Sequence, residues 1–123
     1  MTAMPDESRL PAIIVCESCR AADGTTGARL VADLVAALDE AGLVDALRVV
    51  GTDCLNGCGA PVALALSDAR KAAYLFHRIE PAGDVADIVA TARAWLAAEG
   101  GHIANATKCG RLRLCLAGRI PLV

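Results

Sequence analysis

The chain has 123 residues, 55% of them hydrophobic, a net charge of −2, and a single Trp, Tyr and Phe. That length suffices for one domain with a core of its own, and no apolar run approaches the roughly 20 residues that cross a bilayer. A core of Ala, Val and Leu with three aromatic rings offers little stacking surface for single-stranded nucleic acid.

Residues 1–8 read as a disordered leader. They carry no basic stretch followed by an apolar run, so no secretory signal is expected. The protein is accordingly expected in the cytoplasm, where cysteine pairs serve more often as metal ligands or redox thiols than as structural disulfides. Residues 10–15 (Leu-Pro-Ala-Ile-Ile-Val) are short and β-branched, which predicts a buried parallel strand. Cys16 and Cys19 follow at once, then a loop, Arg20-Ala21-Ala22-Asp23-Gly24. Thr25 or Thr26 can cap a helix whose apolar stripe is Leu30, Val31, Leu34, Val35 and Leu38, ended by Gly42. Residues 46–51 form the next strand, so the first half is a βαβ unit with a right-handed crossover.

Cys54-Leu55-Asn56-Gly57-Cys58-Gly59-Ala60-Pro61 is a loop dense in turn formers. Residues 62–67 and 71–77 predict a hairpin around Asp68-Ala69-Arg70. A second helix spans about 84–98, capped by Asp84, with Val85, Ile88, Val89, Ala92 and Leu96 facing the core. Gly100-Gly101 ends it, and what remains lacks strong periodicity. The order β-α-β-β-β-α is that of a small thioredoxin-like α/β sheet with helices on both faces. It divides the chain into a leader (1–8), a metal- or cluster-binding domain (9–100) and a tail (101–123). Residues 1–99 hold 8 basic and 14 acidic side chains, whereas residues 100–123 hold Lys108, Arg111, Arg113 and Arg119 and no acid. The tail is expected to fold back onto the acidic body, and nucleic-acid binding by that body is not expected.

The cysteines decide the chemistry. Parallel neighbouring strands end at one sheet edge, where ligands of open α/β sheets collect. Cys16, Cys19, Cys54 and Cys58 leave from those ends, which predicts one four-sulfur site. The uneven gaps, two residues and then three, favour an iron–sulfur cluster, since a structural zinc ribbon more often uses two short pairs. Gly57 and Gly59 would let backbone N–H groups approach sulfur and tune a cluster's potential. Three other readings stay open: a zinc site, cysteines packed as small hydrophobes, and a dithiol redox centre on Cys16-x-x-Cys19 with Pro61 at a cis-proline position. The last needs a low-pKa thiolate, usually at a helix N-terminus, and leaves Cys54 and Cys58 without a role.

Cys109 and Cys115 are read as free, packed thiols. His77 and His102 lack metal-ligand spacing, and Glu17 and Asp53 flank the cysteines as solvated carboxylates. No Ser/His/Asp set, paired acids or glycine-rich phosphate loop is present to support a hydrolase or kinase.

Val15-Cys16-Glu17-Ser18-Cys19-Arg20, Cys54-Leu55-Asn56-Gly57-Cys58, Pro61-Val62-Ala63-Leu64, Ala73-Tyr74-Leu75-Phe76 and Gly118-Arg119-Ile120-Pro121 together resemble a bacterial family labelled predicted metal-binding protein, DUF1636. The likeness runs from about residue 12 to the C-terminus. That family is similar to the thioredoxin-like 2Fe–2S ferredoxins, which separate their first two cysteines by many more residues than here. The resemblance implies Cys16, Cys19, Cys54 and Cys58 as cluster ligands and an electron carrier rather than an enzyme. It also implies a redox partner protein, pairing into a homodimer, and a link to cobalamin or cobalt metabolism.

Overall fold

The computed structural model describes residues 10–53, 55 and 59–123. The leader 1–8 and the cysteines at 54 and 58 therefore lie outside the described residues. The elements are β1 (Ala12–Cys16), α1 (Gly27–Glu40), β2 (Arg48–Thr52), β3 (Leu64–Ser67), β4 (Ala73–Phe76), α2 (Val85–Ala97) and β5 (Leu116–Ile120). Short 3-10 segments cover Glu99–Gly101 and Ala106–Leu114. The five strands form one mixed sheet in the order β2-β1-β3-β4-β5. β1 and β2 run parallel, from Ala12 opposite Arg48 to Cys16 opposite Thr52, and the remaining pairs are antiparallel.

Local chemistry explains the first helix. Thr26 caps it, its hydroxyl accepting from Arg29 N at 3.2 Å. Leu30, Leu34 and Leu38 are fully buried, but Val35, assigned to the same stripe by spacing, is half exposed at the stripe's edge. At the far end Gly42 takes φ +73°, Gly42 N donates to Asp39 O, and Leu43 N donates to Leu38 O. This is the 5→2 and 6→1 bonding that closes a helix on a left-handed residue.

One face of the sheet holds the core. Ile13, Val15, Leu64, Leu66, Tyr74 and Phe76 share that face by register and are all buried. α1 packs on β1 and β2, and α2 packs on α1, so both helices cover this side. Helices on both faces were expected, and the described residues place them on one. The opposite face carries Ile14, Val50 and Ala65, half-buried, and Leu75 and Ile120, exposed. It is an apolar stripe that the alternation of the strands produces but the sequence alone did not reveal.

Three further expectations change. Asp84 stands at the N-cap of α2 but makes no capping bond with its side chain. Its buried carboxylate turns away to accept from Glu80 N at 2.7 Å and, through both oxygens, from Arg111 at 2.9 and 2.6 Å. Trp95, which the stripe omitted, is fully buried and donates its indole N–H to Ala72 O at 2.8 Å. The tail carries regular structure: after the 3-10 segment, β5 joins the sheet edge, with Arg119 opposite Tyr74.

The Arg111 contacts fasten the C-terminal segment to α2. The guanidinium also donates to Arg78 O at 2.8 Å, and Arg111 N donates to Asp87 Oδ2 at 3.0 Å. Beside it Gly110 has φ +59°, and a Cβ there would fall 2.4 Å from Asp87 Oδ1, so glycine is required. The hydrogen bonds that Arg111 donates to Asp84 raise its pKa further above its ordinary range. The Asp84 side chain is only 3% exposed, while that of Arg111 is 35% exposed. Loss of the two partners should therefore be unequal. Arg111→Leu strands a buried carboxylate and should cost about 2–4 kcal/mol in urea unfolding, the Arg exposure placing it towards the low side of breaking a buried pair. Asp84→Asn, which keeps an acceptor for Glu80 N, should cost less. Equal losses would refute this assignment.

Candidate functional site

Cys16 closes β1 in the middle of the sheet. Its N–H donates to Ala63 O at 3.1 Å, and the next residue, Glu17, extends the parallel ladder by donating to Thr52 O at 2.8 Å. The chain then turns sharply, Cys19 N donating to Cys16 O at 3.3 Å. Both side chains are buried, Cys16 fully and Cys19 to 5% exposure. The loop that follows is pinned by a bridge between Arg20 and Thr26 and by Asp23, whose carboxylate accepts from Thr25 N at 2.9 Å. Hydrogen bonds from the Thr25 hydroxyl and N–H hold the exposed Asp23 carboxyl below its usual range.

The second cysteine loop approaches the first from β2. Asp53 O accepts from the Cys16 thiol at 3.6 Å and also from the Ser18 hydroxyl, which itself lies 3.5 Å from the Cys16 sulfur. Burial works against ionisation of Cys16. Hydrogen bonding with the Ser18 hydroxyl and the Cys19 thiol, and the N–H groups of Leu55 and Cys19, outweigh it, and the thiol sits below its ordinary pKa. Asp53 and Leu55 flank position 54 in the chain, and both contact the Cys16 sulfur. Cys16 and Cys19 are thus brought together, and the neighbours of Cys54 reach them. Cys54 and Cys58 themselves lie outside the described residues, as does Gly57. Among the described residues, no three His, Cys, Asp or Glu side chains converge as a metal site.

Other candidates fall elsewhere. Cys109 and Cys115 are free and buried, as small apolar side chains are. Burial pushes the Cys115 thiol up. His77 follows β4 half-buried, and His102 contacts Arg119. Glu17 and Asp53 are exposed. Gly59 has no left-handed backbone and open space where a Cβ would sit, so it supplies no special conformation. The cis peptide bond among the described residues joins Pro61 to Val62 rather than preceding Pro61.

The residue that sequence reasoning missed is Gly27. It begins α1 and is buried, and its N–H donates to Cys19 O at 3.0 Å. A Cβ there would stand 1.8 Å from Cys16 O, and Glu17 Cα is 3.1 Å away. The helix N-terminus thus presses directly on the first cysteine turn, an approach only glycine permits. Gly27 lies next to the threonine pair that caps the helix, and that adjacency was the available signal. Gly51 plays a similar part on β2, where the Glu17 side chain lies across it. Gly27→Ala should lower stability by about 2–3 kcal/mol, as overpacking against backbone does, and should speed alkylation of Cys16 and Cys19. Gly59→Ala should leave both unchanged. Thermal melts and thiol-labelling rates check the pair.

No curated protein matches the chain. A family model described as "Protein of unknown function (DUF1636)" matches residues 13–122, which span the sheet, both helices and both cysteine loops, and the chain belongs to that family.

Proposed function

We propose that this protein is a small 2Fe–2S carrier of thioredoxin-like fold that passes single electrons to a partner protein, with Cys16, Cys19, Cys54 and Cys58 as ligands. The observation that carries this reading is the contact of Asp53 and Leu55, the neighbours of position 54, with the Cys16 sulfur. The level ends of β1 and β2 support it, because they start both cysteine loops at one point of the sheet. The donor set fits a thiophilic centre: two adjacent buried thiols, one of them with its pKa lowered by hydrogen bonds. The strand order, with parallel β1 and β2 and an antiparallel β3–β4 hairpin, supports the thioredoxin-like reading.

A bound cluster supplies reversible one-electron chemistry. The chain's own residues do the rest. The four thiolates would hold the metal, and the N–H groups of Leu55 and Cys19 would donate towards sulfur. Such donors stabilise the more negative, reduced state. Any link to cobalt or corrin reduction rests on the family resemblance.

The runner-up is a four-cysteine zinc module, which the common starting point of the two cysteine loops supports equally. A dithiol oxidoreductase is less well supported. The N-terminus of α1 presents its first N–H to Cys19 O rather than to a sulfur, although the Cys16 thiol is poised low.

Anaerobically purified protein should be brown, with about two irons and two labile sulfides per chain, as a 2Fe–2S site requires. Cys16→Ser and Cys54→Ser should lose that iron equally. Colourless protein holding one zinc would transfer the site to the runner-up. Disulfide-reductase activity abolished by Cys16→Ser and untouched by Cys54→Ser would favour the dithiol centre.

A further inference from the structure

We infer that the C-terminal segment builds a second binding site, for a small aromatic anion, independent of the cysteine site and two to three strands away from β1. It is a cleft of about 370 Å³ between β4, β5 and the 3-10 segment Ala106–Leu114, within the size range of small-molecule pockets. Its floor is the ring pair of Tyr74 and Phe76, with centroids 6.2 Å apart and planes inclined by 11°. Ile103 and Leu116 wall it, and Arg113 and Arg119 stand at its rim.

Three features select the ligand class. No carboxylate lines the cleft, and neither arginine forms an ion pair with an acid among the described residues. The two guanidiniums, of which Arg119 also contacts His102 Nδ1, therefore leave a rim of uncompensated positive charge that suits a carboxylate or phosphate. The Tyr74 hydroxyl accepts from Ile103 N at 2.9 Å, which leaves its own proton to donate. The floor is made by apolar ring carbons rather than a polar bed, so the anion's body is an apolar, aromatic group. Solvated arginines on a bare surface would lack both the floor and the enclosing walls.

The probe is 1-anilinonaphthalene-8-sulfonate, an aromatic sulfonate, titrated into the full chain with emission as the readout. Wild type should bind it saturably with a blue shift. The Arg113→Ala/Arg119→Ala variant should bind about tenfold or more weakly, the scale of losing a charge-assisted hydrogen bond. Ala106→Trp, at an exposed position on the cleft wall, should abolish binding. All three positions are exposed, and unchanged thermal melts should show that the fold survives. Benzoate and phenyl phosphate should displace the dye while inorganic phosphate alone does not, and the stronger of the two identifies the head group. Absence of saturable binding, or equal binding by wild type and both variants, overturns the inference.

Discussion

The parallel, in-register pairing of β1 with β2 is the constraint on which the rest of the molecule depends. Parallel strands cannot be joined by a tight turn, so the chain must cross over the sheet, and α1 is that crossover. Because Cys16 is level with Thr52, both strands finish together and both cysteine loops start together. The return of α1 to β2 also fixes where the helix begins. Gly27 is pressed on the carbonyl of Cys16, so strand end, cysteine turn and helix start form one rigid corner. An edge pairing or a shifted register would separate these parts while leaving each element intact.

A second constraint closes the other end of the molecule. Asp84 buries a carboxylate at the start of α2, which is tolerable only because Glu80 N and both prongs of Arg111 meet it. Through Arg111 the 3-10 segment lies against α2, and from there the chain enters the sheet as β5. The basic character of residues 100–123 thus has two uses within one short stretch. Arg111 is spent on an internal acid, whereas Arg113 and Arg119 remain turned to solvent beside the aromatic floor.

The order of strands and helices was legible because each has strong local patterning. Ala12–Val15 is a short β-branched run, and Leu30, Leu34 and Leu38 recur every four residues. What could not be read is what depends on distant partners. Leu116–Ile120, Leu-Ala-Gly-Arg-Ile, has neither alternation nor burial, since every residue in it is exposed. It is a strand only because β4 offers an edge. Asp84 reads as a helix cap from its neighbours, and only Arg111, 27 positions later, draws its carboxylate away. Trp95, seven positions after Ile88 and three after Ala92, lies on the same buried face of α2, and the partner of its indole N–H, Ala72 O, is what spacing alone does not show. At the candidate site, the adjacency of Cys16 and Cys19 was legible from spacing. The backbone donors and acceptors around the Cys16 sulfur come from another loop and were not.

The long reach from Asp84 to Arg111 also has a consequence in time. A ribosome makes β1, α1, β2 and the β3–β4 hairpin before it makes the residue that neutralises Asp84. During that interval the first four strands and α1 can already assemble the corner that holds Cys16 and Cys19, while α2 carries a carboxylate with no counter-ion. Asp84 gains its counter-ion only when the C-terminal segment emerges, so the docking of α2 is a late event although α2 is made before that segment.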